Sequence, residues 1–428
     1  MTSFKCLLGK VTTLVLVLPL FIFTPIQAQA LETDFSVQAK AALAIDANSG
    51  KILYSQNSDE VLGIASVTKI LSAYLVYEEV EHGNISWSDP LPISDHLIKL
   101  SQDPDLSNIP IEKDQTFTVQ DALIGALVSS ANSLTSALAE YIAGSEVAFV
   151  GMMYDKLELW GIDDALLVSA SGLSNEYIVP PFYKGTKELD ENMMSAKDVA
   201  IVAQHLITDY PEVLDITSQP SITLFEKSKE PLVLWNSSDM LPGFDYYIEG
   251  MDGLKTGTSP VAGGCYVGTM EIDGTHIITV VLGVDEEVAN RFEETYQLLN
   301  YINEHFSYET AIKKGELAST KQIGIKNSKE KNAGIIVKDD VKVWVTSPKN
   351  LALSVKTTTK QVDRHGNIKA PMTNKTVIAH QYATDKTDKL GYLTKEEEKE
   401  AYVDVTLKND IKKDNIFTII WHRISGKA

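Results

Sequence analysis

Ser66-Val67-Thr68-Lys69 opens the stretch 66–80, whose Ile70, Leu71, Ala73, Tyr74, Leu75 and Val76 leave almost no polar face. A helix apolar on nearly every side is buried at the centre of a domain. Ser66 and Lys69 are three residues apart on it, so they share one face, one turn apart. Ser130-Ala131-Asn132 and Lys255-Thr256-Gly257 follow at wide spacing. Each triplet alone is weak, since a chain of this length yields a Ser-x-x-Lys about once or twice by chance. Ser328-Lys329-Glu330-Lys331 also fits, in a polar stretch with no apolar helix behind it, and Ser55-Gln56-Asn57 is a stray Ser-x-Asn. The ordered set, each member in a suitable setting, carries the information.

A serine hydroxyl is a poor nucleophile until a neighbouring base removes its proton. Lysine serves as that base only when burial and nearby cations lower its pKa. The apolar helix supplies burial for Lys69, and Lys255 supplies a second cation if the motifs converge. Ser66 is therefore the expected nucleophile, near a helix N-terminus that favours developing negative charge. Ser130, on the opposite wall of a cleft, suits proton transfer to a leaving amine. Asn132 suits a substrate amide and the orientation of Lys69. Lys255 with the Thr256 and Thr258 hydroxyls suits a terminal carboxylate, and Gly257 lets a peptide backbone approach an edge strand. The N–H groups of Ser66 and Thr258 are candidates for an oxyanion hole. The sequence leaves open whether Arg291 also meets the substrate carboxylate.

The eight histidines are dispersed and form no H-E-x-x-H or compact ligand pair, so neither a metal nor another cofactor is expected. The G-x-S-x-G pattern of a Ser-His-Asp hydrolase is absent.

The first thirty residues carry Lys5 and Lys10, an apolar run over 11–23 and Ala28-Gln29-Ala30, the pattern of a secretory signal peptide. The run is short for a bilayer span, and Pro19 and Pro25 weaken it further, although an uncleaved anchor is the alternative. Cleavage would leave Cys265 as the one cysteine of the mature chain, excluding an internal disulfide; its setting suggests a small buried strand residue. The formal net charge of −20 conceals an asymmetry: residues 31–310 carry a net −31 and residues 311–428 a net +9. A sign change of this size suggests separate domains, the basic one suited to an anionic envelope surface. Nucleic acid is not an expected partner.

With 428 residues there is room for two or three domains. Short strands at 41–46 and 51–54 flank Ala47-Asn48-Ser49-Gly50. Residues 119–142 read as a helix pair interrupted near Ser129, and Ser195-Ala196-Lys197-Asp198 as a capped helix start. Asp273-Gly274 joins 265–272 and 275–281 in a hairpin. A helix over 291–305 closes the catalytic domain, assigned to 31–310. Residues 311–407 show short β-branched runs between Lys-rich turns, a small all-β domain. In the remaining 408–428, Ile416, Phe417, Ile420, Trp421 and Ile424 share a helical face, which suits an amphipathic helix on a membrane surface or one docked on the β domain.

On these residues the chain resembles a serine D-alanyl-D-alanine carboxypeptidase, a low-molecular-mass penicillin-binding protein of the peptidase S11 type. The likeness takes in Ile64-Ala65 before the first motif, Ser171-Gly172-Leu173, and Asp252-Gly253-Leu254 before the third. It implies an α/β (α+β) penicillin-recognising, β-lactamase-like transpeptidase fold with a small all-β second domain. It also implies acylation of Ser66 by a peptidoglycan stem peptide, release of D-alanine, covalent binding of β-lactam antibiotics, and residence on the extracytoplasmic face of the cell membrane. Ala131 stands where many relatives carry Gly, and the stretches 177–192 and 239–249 are longer than expected. A class A β-lactamase would carry Ser-Asp-Asn and a deacylating Glu, whereas this chain has Ala131 and no Glu-x-x-Leu-Asn between the later motifs. A D,D-endopeptidase and a non-catalytic scaffold with the same fold are the other readings.

Overall fold

The computed structural model describes residues 35–358 and 360–415. The expected signal peptide and the apolar face from Ile416 onward lie outside these. Residues 408–415, included above in an amphipathic helix, are not helical; Ile411 instead pairs with Met372.

The frame is a five-stranded antiparallel sheet made from both ends of the catalytic region. Its strands are β1 (Ala41–Asp46), β2 (Ile52–Gln56), β3 (Met251–Ser259), β4 (Gly263–Ile272) and β5 (Thr275–Val284), in the order β2-β1-β5-β4-β3. Side chains alternate across a strand, and β1 shows it: Leu43 and Ile45 enter one core, Ala42 and Ala44 the other. The tight turn joining β4 to β5 has Asp273 at φ 52° and Gly274 at φ 77°, the positive pair that a two-residue hairpin needs. The Lys255 strand, β3, lies at the sheet edge, antiparallel to β4, as the sequence suggests.

Helices cover both faces. On one lie α1 (Lys69–Glu81), α2 (Asp95–Ser101), α3 (Val119–Val128), α4 (Asn132–Ala143), α5 (Glu146–Leu159), α6 (Ala196–Asp209) and α7 (Val213–Thr217). On the other, α8 (Arg291–His305) packs Phe292, Leu298 and Ile302 against Tyr266, Ile277 and Val281. The first nine residues of α1, Lys69 to Tyr77, are all buried, as its all-round apolarity requires. Ser195 and Asp198 form a reciprocal capping box at the start of α6, and Asn290 caps α8.

The C-terminal region is β-rich. Strand β6 (Ser307–Ile312) leaves α8 after one residue and pairs with β9 (Val341–Val345). Strands β7 (Leu317–Lys326), β8 (Asn332–Val337), β10 (Leu351–Thr357), β11 (Asn367–Lys369), β12 (Val377–Asp385) and β13 (Val403–Leu407) form a six-stranded sheet, order β10-β12-β13-β8-β7-β11. The region is not purely β. Lys395–Glu400 is a short helix, α9, with a Thr394–Glu397 capping box and no buried residue. No helix among the described residues is long and apolar enough to cross a membrane.

Candidate active site

Ser66 lies in a single 3₁₀ turn, Ala65–Thr68, that runs directly into α1. Two glycines grip this turn. A Cβ on Gly257 of β3 would fall 2.7 Å from the Ile64 carbonyl oxygen, and one on Gly172 would fall 2.0 Å from that of Ala65. The main chain of each therefore packs where any side chain would collide. Asn192 ties the same parts together. Its Oδ1 accepts from the Val168 and Ser169 N–H groups, and its Nδ2 donates to the Ser169 carbonyl and the Thr68 hydroxyl.

Lys69, the first residue of α1, is 1% exposed. Its Nζ lies 2.8 Å from Ser66 Oγ, 2.6 Å from Asn132 Oδ1 and 2.7 Å from the Ser171 carbonyl oxygen. Two of these partners can only accept. A neutral amine can give its two N–H bonds to these and turn its lone pair to the Ser66 hydroxyl, whereas an ammonium would donate to all three. Burial first, then the charge of Lys255, hold the Lys69 pKa well below its usual value, while Glu146 opposes the shift. The geometry admits either form, and the depressed pKa favours the neutral one.

The break between α3 and α4 carries the second motif. Ser130 sits in the left-handed region at φ 57°, and Asn132 opens α4. The Asn132 N–H donates to the Ser107 carbonyl and the Ser133 N–H to Asn108 Oδ1, fixing the helix start. On β3, Lys255 is 1% exposed; its Nζ donates to the Thr256 carbonyl at 3.0 Å. Burial, then Arg291, lower its pKa to about 7. The Thr256 hydroxyl is 2.7 Å from that of Ser237.

A cleft of about 370 Å³ is lined by Ser66, Ser130, Thr256, Gly257 and Thr258. The three motifs thus converge. Ser66, Lys69 and Asn132 are joined by hydrogen bonds, and Lys255 acts on Lys69 through its charge. Arg291 also lines the cleft, yet all five of its N–H donors are matched within the protein: Glu286 takes two, and the Gly257 carbonyl, the Cys265 carbonyl and the Thr258 hydroxyl take one each. It holds β3 in place and has no donor left for a substrate carboxylate.

Several of these groups carry no readable signal. The Ser171 carbonyl is main chain, and Ser237, Asn192 and Glu286 belong to no motif. Cys265 is buried with its thiol pushed up to about 11 by burial, so it is inert. Among the described residues no group of His, Cys, Asp and Glu could hold a metal ion.

A serine hydroxyl hydrogen-bonded to a buried lysine amine of depressed pKa is an arrangement suited to serine acyl transfer. The family profile described as D-alanyl-D-alanine carboxypeptidase, peptidase S11, matches residues 27–286, and the chain belongs to that family of serine-type carboxypeptidases. The chain is 25% identical over 390 residues to D-alanyl-D-alanine carboxypeptidase DacF of Bacillus subtilis (strain 168), with 91% of this chain and 90% of the relative covered. Among solved structures it is similar to a peptidoglycan synthesis regulatory factor (PBP3) from Streptococcus pneumoniae, at 37% identity and a TM-score of 0.75, covering 88% of this chain and all of that one. It is also similar to penicillin-binding protein D2 of Listeria monocytogenes in a cefotaxime-bound form, at 30% identity and a TM-score of 0.52, covering 63% and 98%. The fold is the α/β transpeptidase fold of penicillin-binding proteins with a C-terminal β-rich domain.

Proposed function

We propose that this protein removes the terminal D-alanine from peptidoglycan stem peptides through an acyl-enzyme on Ser66. The observation that carries the assignment is the three-way bonding of Lys69, which holds a buried amine of depressed pKa 2.8 Å from Ser66 Oγ. Lys69 takes the Ser66 proton as Oγ attacks the carbonyl between the two D-alanines. The N–H groups of Ser66 and Thr258 receive the oxyanion. Asn132, its Oδ1 engaged by Lys69, has its Nδ2 donors for the substrate amide. Ser130 relays the proton to the leaving amine, and Lys255 with Thr256 and Thr258 holds the terminal carboxylate. Water then frees the shortened stem.

A β-lactam presents a strained amide to the same nucleophile, and the cefotaxime-bound Listeria relative supports covalent capture here. The cleft carboxylates are Asp239 and Glu286, the latter committed to Arg291, and no carboxylate bonds to Ser66 or Lys69 among the described residues. The adduct should therefore persist, unlike that of a β-lactamase. The signal pattern and basic, amphipathic tail support an exported protein held at the outer face of the cell membrane.

Intact-mass analysis of the penicillin-treated mature protein tests this reading. Wild type should gain one stable penicilloyl group, mapped to Ser66, and should release D-alanine from a D-Ala-D-Ala peptide. Ser66→Ala should do neither. A label on another residue, or turnover of the adduct within seconds, would overturn the assignment.

A further inference from the structure

We propose that Glu146 is a positioning residue for the Lys69 base, acting through the main chain of Ala170 and Ser171. The inference rests on the reading of Lys69 as the base. Glu146 opens α5, and its Oε1 accepts the Ala170 N–H at 2.7 Å. The Ala170 carbonyl accepts the Ser72 hydroxyl at 2.6 Å, and the next carbonyl, of Ser171, accepts Lys69 Nζ at 2.7 Å. The segment that orients the amine is thus pinned from one side by α1 and from the other by a single carboxylate.

That carboxylate is also placed to act by charge. Lys69 faces Lys255 from β3 and Glu146 from α5; Glu146 in turn faces Glu140 from α4, and His96 of α2 stands beside Glu140. Behind Glu146 is a cavity of about 210 Å³, separate from the substrate cleft, also lined by Ser136, Glu140, His96 and Tyr177. Ser136 Oγ is buried there beside the Glu146 carboxylate, whose charge its hydroxyl favours. Glu146 therefore lies between this cavity and the loop that holds the base. Its two effects separate chemically. The oxygen acceptor fixes the Ala170–Ser171 segment; burial raises the Glu146 pKa, and where the carboxylate is ionised its charge favours the ammonium form of Lys69.

The test is the second-order rate of acylation by a fluorescent penicillin across pH, using the full mature chain. Glu146→Leu removes acceptor and charge and should slow acylation about tenfold or more across the range. Glu146→Gln keeps an acceptor and should recover the plateau rate to within about threefold. Where Glu146 is ionised, loss of its charge lets the Lys69 pKa fall further, so the acid limb should move to lower pH. Glu146→Gln preserves shape and carries the test even if the Leu variant fails to fold. A Gln variant whose acid limb coincides with wild type, or a folded Leu variant that acylates at the wild-type rate, would overturn the proposal. Failure of wild type itself to acylate at Ser66 would instead overturn the reading of the base.

Discussion

Two lysines of the site are asked for opposite protonation states. Lys69 must be neutral to accept the Ser66 proton, and burial with Lys255 beside it depresses its pKa. Lys255 must be charged to hold a carboxylate, yet in the free protein its pKa is lowered to about 7 by burial and Arg291. The dependence of kcat/KM on pH should therefore be bell-shaped, the acid limb belonging to Lys69 and the alkaline limb to Lys255. An arginine does not titrate in this range, so Lys255→Arg should lower the maximum and extend activity upward in pH. An alkaline limb shared by wild type and Lys255→Arg would assign it elsewhere. Lys69→Ala should retain non-covalent binding while slowing acylation at neutral pH by about 10²–10⁴-fold, measured by stopped-flow quenching with a fluorescent penicillin. At this scale much was readable, because Ser66, Lys69, Ser130, Asn132, Lys255 and Thr256 are side chains whose chemistry is explicit in the sequence. The Ser171 carbonyl and the full engagement of Arg291 were not, since main-chain acceptors and geometric saturation leave no residue-type signature.

Among elements, the junction of the 3₁₀ turn with α1, β3 and the 168–172 segment decides whether those side chains meet. Gly172 has φ +87° as well as its 2.0 Å approach to the Ala65 carbonyl, so Gly172→Ala meets both a backbone and a contact penalty. It should cost about 1–3 kcal/mol of stability and slow acylation at least about tenfold, read by thermal unfolding and penicillin labelling. Labelling at the wild-type rate would show that the turn is not held from that side. The elements with strong local signals were legible: the Asp-Gly hairpin, the Ser195–Asp198 capping box and the helix Arg291–His305. The edge position of β3 was legible at Gly257, but its beginning was hidden, because Met251-Asp252-Gly253-Leu254 lacks a β-branched alternation to mark it. Helix α9 was hidden altogether, since Lys-Glu-Glu-Glu-Lys-Glu has no apolar period and its cap is its clearest mark.

At the scale of the whole molecule, the C-terminal region is fastened to the catalytic sheet rather than strung from it. Asp46, fully buried at the end of β1, accepts from the Asn48 N–H, the Ser49 and Thr275 hydroxyls, and the indole N–H of Trp344 on β9. Nearby, Lys51 bonds Asp388 at 2.9 Å, and Leu393 returns to enter the main core of the catalytic sheet and helices. A cleft of about 430 Å³ remains between the two parts, walled by Trp344, Tyr308, Tyr392 and Tyr402. The charge asymmetry announced two parts, but this fastening was not legible, because its partners lie about 300 residues apart in sequence. If the tail beyond Asp414 is the membrane contact, deleting residues 415–428 should move the protein to the soluble fraction with penicillin labelling intact. Pelleting of that truncate after signal cleavage would assign attachment to another segment. The fastening makes a separate prediction. Asp46→Ala leaves the Trp344 indole and Thr275 hydroxyl buried without their acceptor, a loss of about 2–4 kcal/mol. Thermal unfolding should fall by several degrees, while Ser66 of the folded protein still acylates, because no donor to Asp46 belongs to the site. An unchanged melting temperature would mean that the two parts are held together by their other contacts, the Lys51–Asp388 pair among them, with Asp46 only satisfying its own turn.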